Sequence, residues 1–270
     1  MKVIKNTKII KRILKGSRSL SFIPTMGSLH NGHISLIKKA KRDKNKIIVS
    51  IFVNPKQFKN NRDYKSYPRN IYKDLNLLKK HKIDFVFLPS IKDIYSYKTK
   101  NKIYLNKFSK TLCGKYRPGH FEGVIDVVNR LVEIINPKKI YLGKKDFQQL
   151  ILIKKHFSKN NIKIKIIECN TYRDSFGLAE SSRNKSLSDN QLDIARKVAK
   201  ILKKNKIIIK RNFGNYKLNN LKRQIKSLGL NKIEYLKLLN LKTLKYPKIN
   251  EKFNIFVAYY LGKTRLIDNV

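Results

Sequence analysis

The chain has 270 residues, 41% of them hydrophobic, which is enough to bury one large core or two smaller ones and excludes disorder as the default. Its two cysteines, Cys113 and Cys169, are too few and too far apart for a disulfide framework or a cysteine-based zinc site, and no run is apolar enough for a secretory leader or a membrane span. The formal charge of +46 comes from 63 Lys+Arg against 17 Asp+Glu, which excludes an ordinary near-neutral surface and raises the question of an anionic partner.

From the first residues to about Asn170, short apolar runs rich in β-formers alternate with segments of helical spacing. Strands are expected at Leu20 to Pro24, Ile47 to Val53, Asp84 to Leu88, Lys139 to Leu142 and Ile162 to Glu168. Each is short, bounded by turn residues and apolar on both faces, as in a parallel sheet covered by helices. Between them, Ile34 to Lys41, Ile71 to Lys80 and Gly123 to Ile135 repeat apolar residues at intervals of three and four, the spacing of one helix face. This alternation predicts an α/β domain over residues 1–171, a Rossmann-like, doubly wound parallel sheet. From Tyr172 the texture changes. Ser181 to Ser188 is polar and turn-like, Gln191 to Lys204 and Asn219 to Ser227 are helical, and Ile233 to Leu239 and Phe253 to Tyr260 read as strands. A smaller α+β domain with an antiparallel sheet is expected over 172–270.

Phe22 to His33 reads as a strand, a glycine-containing turn and two histidines that open a helix. An open α/β sheet binds ligands at the carboxyl ends of its strands, and a helix N-terminus offers unpaired N–H groups and a partial positive charge. A phosphate fits there. The spacing of His30-Asn31-Gly32-His33 lets both imidazoles approach one phosphate, while Gly32 leaves room for close backbone approach. Such a pair would stabilise negative charge developing during in-line attack at phosphorus. An isolated pair of histidines beside a turn is more often two solvated side chains. Strand, glycine turn and helix together point to a nucleotide.

The run Pro24-Thr25-Met26-Gly27-Ser28-Leu29-His30-Asn31-Gly32-His33 resembles the signature of the pantothenate synthetase family, the pantoate-beta-alanine ligases. That family sits in the His-x-Gly-His nucleotidyltransferase group related to class I aminoacyl-tRNA synthetases. The likeness continues along the chain. Val49 to Phe58 resembles the family's second strand and its substrate-binding glutamine, and Tyr67-Pro68-Arg69 follows at a similar distance. Arg117 to Val124 resembles a loop and helix start near the active site, and Gly143 to Leu150 the next phosphate and substrate segment. Ser181-Ser182-Arg183-Asn184 is similar to a mobile phosphate-clamping loop, and Gly262 to Asn269 to the family's C-terminal end.

The resemblance implies a two-step reaction. ATP and (R)-pantoate give pantoyl adenylate and pyrophosphate; the amine of β-alanine then attacks the acyl carbonyl, releasing pantothenate and AMP. On that reading ATP lies on Met26, Gly27, Ser28, Leu29, His30, Asn31, Gly32 and His33, on Gly143, Lys144, Lys145 and Asp146, and on Tyr172, Glu180, Ser181, Ser182 and Arg183. The catalytic set is His33, in the family's acid role, with His30, Lys145, Ser181, Ser182 and Arg183. Gln57 and Gln149 take pantoate, and Gln57 also takes β-alanine. These side chains suit the chemistry. Lys145 is a point cation for a phosphate, Asp146 an acceptor for ribose hydroxyls, and the glutamines both donate and accept. Two serine hydroxyls and the Arg183 guanidinium fork match phosphate oxygens. Adenylation itself activates the carboxylate, so no Ser-His-Asp or Cys-His nucleophile is required. Magnesium is implied with ATP, with no protein ligand assigned; a cytoplasmic homodimer with no membrane or dedicated nucleic-acid partner completes the implied picture.

Arg117 and His120 either screen charge from a neighbouring loop or cap the helix beginning near Glu122. Three positions depart from the family's pattern: Lys144 where Glu is common, Phe176 where Asp usually precedes Gly177, and Glu180 in place of an apolar residue. Lys144 either tightens nucleotide binding or reflects a general drift to lysine. The same choice applies to the whole surface. Of the 63 cations, 50 are lysine, spread from Lys2 to Lys263. A basic nucleic-acid-binding protein on a nucleotidyltransferase-like fold would gather such charge, with aromatics, on one surface. Diffuse lysine favours a solvated face.

Overall fold

The computed structural model describes residues 1–14, 19–58, 60–213 and 216–270. The chain divides into two compact units, Met1–Asn170 and Thr171–Val270. In chain order the first unit comprises β1 (Lys2–Ile4), α1 (Thr7–Leu14), β2 (Leu20–Thr25), α2 (Asn31–Lys41), β3 (Lys46–Ile51), α3 (Asn61–Ser66) and α4 (Ile71–Lys80). There follow β4 (Phe85–Phe87), α5 (Ile91–Tyr95), α6 (Leu112–Tyr116), α7 (His120–Ile135), β5 (Lys139–Gly143), α8 (Phe147–Lys159) and β6 (Lys165–Cys169). The strands form a sheet in the order β1-β4-β3-β2-β5-β6, parallel at every pairing.

This order makes the sheet doubly wound. From β2 the chain steps through β3 to β4 in one direction, whereas β5 and β6 extend the sheet the other way. Right-handed crossovers in opposite directions place their helices on opposite faces. On one face Ile23, Val49, Val86 and Tyr141 form a core with Ile34, Ile37 and Ala40 of α2 and Leu78 of α4. Their neighbours along the strands, Phe22, Ile48, Phe87 and Ile140, are fully buried on the other side, the two-residue alternation of a strand. There α7 packs against α1 and α8.

The second unit places α9 (Asp189–Arg211) and α10 (Leu218–Lys226) with an antiparallel sheet of β7 (Lys232–Asn240), β8 (Phe253–Leu261) and β9 (Thr264–Asn269). Ala195, Val198, Leu202 and Ile209 of α9 and Leu221 and Ile225 of α10 share a core with Leu236, Leu238, Ile255 and Val257. Ser188 caps α9 in a reciprocal box with Gln191.

Where sequence and structure differ, the reasons are local. Helix α9 runs beyond Lys204 because Asn205 and Ile209 keep its buried face going past the lysine run. Strand β3 ends at Ile51, not Val53, because its partner β2 ends at Thr25, whose carbonyl takes the last ladder bond, from Phe52 N (3.1 Å). The expected start of a strand at Ile162 is corrected to Lys165, because α8 occupies the chain to Lys159 and Asn161 adopts a positive φ of 53°. Helices α2 and α7 begin at Asn31 and His120, earlier than their apolar spacing, because α2 opens on Asn31-Gly32-His33 and Phe121 is the lone apolar side chain in the first turn of α7. Strands β1 and β9 and helices α1, α3, α5, α6 and α8 are additions to the expected elements. β1 has three residues, too few for alternation to register.

Candidate active site

The sheet opens where its direction reverses. β2 pairs with β5 only at Ser21↔Lys139 and Phe22↔Ile140, although β2 continues to Thr25 and β5 to Gly143. Pro24, which has no N–H to give, lies beyond that short ladder. The two carboxyl ends therefore separate at the topological switch point, where open α/β sheets take ligands. The segments that leave them are Met26 to His33 and Lys144 to Gln149.

After β2 the backbone turns sharply, with φ of 77° at Gly27 and 51° at Ser28. Gly27 is required on two counts: its φ is left-handed, and a Cβ there would lie 2.9 Å from Asp74 Oδ2 and 3.0 Å from Ile51 Cγ2. Ser28 N and Leu29 N donate to the two carboxylate oxygens of buried Asp74 on α4, each at 2.8 Å. Sequence reading overlooked this aspartate.

The turn delivers His30 to the N-cap of α2 with an extended backbone. Its Nδ1 accepts the Gly32 N–H at 3.1 Å, and His33 Nδ1 faces the His30 N–H at 3.4 Å, so the two rings act as a reciprocal capping box. Ring centroids are 4.2 Å apart. A nitrogen that accepts carries no proton, so each neutral ring holds its hydrogen on Nε2 and carries a donor there. The pair expected to bind phosphate thus also builds the helix terminus it sits on.

Gln57 follows β3 in a short turn, Pro55–Gln57, and is buried. A web of hydrogen bonds surrounds it. Asn54, fully buried, donates from Nδ2 to Gln57 Oε1 (3.3 Å) and to Gly123 O (2.9 Å), and its Oδ1 accepts from Tyr95 OH (2.7 Å). Gln57 Nε2 donates to Met26 Sδ. Its carbonyl accepts from Arg117 Nη2 (3.1 Å) and His120 Nδ1 (2.7 Å), while Arg117 Nη1 donates to His120 Nε2 (3.0 Å). This corrects the capping alternative for these two residues: α7 begins at His120 behind Gly119, and both side chains reach back to the Gln57 backbone. Gly123 lets α7 press against this turn, for a Cβ would sit 2.3 Å from Lys56 O.

Beyond β5, Lys144 to Asp146 form a single tight turn and Phe147 opens α8. Lys145 Nζ lies 3.3 Å from Asp146 Oδ1. The two glutamines that follow divide their roles. Buried Gln148 donates to Phe108 O (2.7 Å) and Thr111 O (2.8 Å) and accepts from Cys113 N (3.0 Å), a purely internal tie. Gln149 is half-buried, and its amide has no protein partner among the described residues.

In the second unit, Tyr172 O accepts from Glu180 N (3.1 Å), closing a hairpin bridged at Arg173 and Ala179. Ser181 Oγ then accepts from Arg183 N (3.3 Å) at the head of the turn Ser182–Ser186, with Ser182 buried. Arg173 forks onto Asp268 Oδ1 and Oδ2, both at 2.8 Å, and anchors this segment to β9.

A sequence profile of the family described as pantoate-beta-alanine ligase matches residues 2–270. The chain belongs to the pantoate-beta-alanine ligase family. It is 40% identical over 267 residues to the pantothenate synthetase of Caldicellulosiruptor saccharolyticus, covering 97% of this chain and 94% of that one. The enzyme of Francisella tularensis subsp. mediasiatica is 43% identical over 267 residues, covering 98% and 94%. Among solved structures, the Francisella tularensis ligase complexed with beta-gamma ATP and beta-alanine matches with a TM-score of 0.85 at 41% identity, covering 100% of this chain and 97% of that one. The Thermus thermophilus pantothenate synthetase matches with a TM-score of 0.88 at 29% identity, covering 100% and 99%. The parallel sheet with its small antiparallel companion is the ligase family's fold.

Two of this ligase's departures have a local account. Lys144 Nζ lies 3.7 Å from Glu168 Oε2 and 3.4 Å from Asn170 Oδ1, so its charge is shared with a carboxylate. Hydrogen bonding from Lys154, with Lys144 nearby, holds Glu168 below the usual carboxylate range despite partial burial. Phe176 lies under the Arg196 guanidinium, 4.2 Å from ring centroid to cation, while Arg196 Nε also pairs with Asp174 (3.1 Å). Among the described residues no helix is long and apolar enough to cross a membrane, and no three His, Cys, Asp or Glu side chains converge as a metal site.

Proposed function

We propose that the protein joins (R)-pantoate to β-alanine through pantoyl adenylate, with ATP cleaved to AMP and pyrophosphate. The observation that carries this reading is the His30 and His33 box at the head of α2, a few residues after β2, the strand whose pairing with β5 stops short of its carboxyl end. Two Nε2 donors and a helix N-terminus converge where charge grows on phosphorus as the pantoate carboxylate attacks it. Preorganisation is the point: the rings are already fixed by the backbone they cap, so little reorganisation is needed in the transition state.

The remaining roles follow the resemblance. Lys145 neutralises phosphate charge and Asp146 accepts from the ribose. Gln57 orients pantoate and then β-alanine from a turn that Asn54, Arg117 and His120 hold in place. Gln149, half-buried at the start of α8, binds the pantoate hydroxyl and carboxylate. Residues 1–171 bind nucleotide and pantoate, and the domain over 172–270 contributes Tyr172, Glu180 and the Ser181-Ser182-Arg183 turn, whose donors receive the leaving pyrophosphate. Magnesium bound with ATP would offset phosphate charge beside Lys145, and no residue of the chain is assigned as its ligand. The implied assembly is a cytoplasmic homodimer, which light scattering tests.

Pyrophosphate release is the deciding assay. Protein, ATP, magnesium and pantoate should release pyrophosphate, and β-alanine should convert the bound adenylate to pantothenate and AMP. Release that does not depend on pantoate, together with salt-sensitive oligonucleotide binding, would overturn the reading in favour of a nucleic-acid binder.

A further inference from the structure

We propose that Asp74 is a positioning residue for the adenylation step: its carboxylate is a built-in anion that fills the concavity of the β2–α2 turn and sets the path of the chain into His30. This rests on the ligase reading above for its kinetic test, but not for its structural one.

The argument begins with the turn. Left-handed φ values at Gly27 and Ser28, in succession, curl the backbone so that neighbouring N–H groups converge. Convergent N–H groups of this kind bind anions, and in many nucleotide sites they bind phosphate. Here the concavity is already filled: Ser28 N and Leu29 N each donate to one oxygen of Asp74 at 2.8 Å. The carboxylate comes from the first turn of α4, is buried, and packs directly against the Gly27 backbone, leaving no room for a Cβ. Those two donors are therefore spent inside the protein, and a phosphate is directed one step along the chain to the imidazoles.

A non-glycine residue in the left-handed region is strained, and such a conformation persists only where its surroundings over-determine it. Asp74 supplies that determination at Ser28. Leu29 immediately precedes the N-cap, so the same carboxylate fixes the peptide that orients the His30 ring. Asparagine cannot replace it. An amide has one acceptor and would aim its NH2 at the second backbone donor.

The test uses D74N, which is isosteric, and D74A, which leaves a carboxylate-sized hole. In the full-length enzyme each should lower kcat/KM for ATP in pyrophosphate release by about 10- to 100-fold, the factor for losing charge-assisted hydrogen bonds, with the pantoate KM changed less than about threefold. Sodium formate should restore D74A saturably by lodging between Ser28 N and Leu29 N, whereas sodium chloride at equal ionic strength should not. Wild-type kinetics in D74N would overturn the proposal, as would equal losses for ATP and pantoate with no formate rescue. Backbone amide exchange in the wild-type protein reads the same contact without activity or mutation. Slow exchange at Ser28 and Leu29 is expected; exchange as fast as at an exposed loop overturns it even if neither variant folds. A wild-type protein with no pantoate-dependent pyrophosphate release would refute the ligase reading and leave the amide measurement to decide Asp74.

Discussion

His30 carries two loads that a pair of substitutions can separate. As N-cap it accepts the Gly32 N–H at 3.1 Å through Nδ1, and as a phosphate ligand it would donate from Nε2. Alanine removes both functions, whereas asparagine restores an acceptor suited to the cap and lacks the far donor. The H30A change should cost about 1 kcal/mol of stability, and H30N only a few tenths. For a unit the size of Met1–Asn170, that is a fall of about 2–4 °C in melting temperature for H30A against a shift near zero for H30N. Adenylation should behave differently: both variants should lose about 100-fold in the rate of pantoate-dependent pyrophosphate release, the usual effect of deleting one preorganised donor. Thermal melts by circular dichroism and a coupled pyrophosphate assay, at saturating ATP and pantoate, measure the two quantities on the same samples. Wild-type turnover in H30N would refute the reasoning, because it would leave the imidazole as a helix cap and nothing more. Equal destabilisation of both variants would instead refute the cap.

His33→Ala should likewise slow adenylation about 100-fold or more, with an unchanged rate excluding that ring from the chemistry. Arg183→Ala should slow formation of the adenylate rather than the attack of β-alanine, and isotope trapping of the adenylate separates the two steps. Gly123→Ala forces a Cβ to within 2.3 Å of Lys56 O and 2.8 Å of Gln57 N, which must displace the turn. We expect about 1–3 kcal/mol of destabilisation in urea melts and a raised pantoate KM with ATP affinity little changed. Burial pushes the fully buried His156 down to about 4, so below pH 6.5 the unfolded chain takes up a proton that the folded protein refuses. Stability present above pH 6.5 is therefore lost as pH falls towards 4, by about 2–3 kcal/mol at pH 4.5. His81 is lowered as well, by burial and by Lys41, Lys38 and Lys80, so the contribution of His156 is the difference between wild type and H156Q. A pH profile shared by the two proteins would disprove it.

The parts of the site legible in the sequence are those made by neighbours in the chain. Met26 to His33 is one turn and one helix start, and each residue type answers a local demand: glycine for a positive φ at 27, histidines at N-cap and N3 to close a box. Gln57 and Lys145 are recognised only by resemblance, since a lone glutamine or lysine in a turn has no local signature. Gln148 and Gln149 show the limit clearly. Adjacent and identical in type, they differ because one points into the segment around Phe108 and the other does not. No periodicity distinguishes them.

The order of β-runs, helical spacing and turn residues determined a doubly wound parallel sheet with a tight glycine turn after its first core strand, because burial on two faces and backbone geometry are written into adjacent residues. Only the tertiary structure decided what holds that turn and its opposite wall. Asp74 reaches Ser28 from α4, Asn54 meets Gly123, and Arg117 and His120 converge on the carbonyl of Gln57. Each partner lies tens of residues away and looks, in the sequence, like any polar side chain on a helix or in a loop. Its meaning comes from burial: once water is gone, a carboxylate or an amide must find donors and acceptors from whatever chain the fold brings beside it.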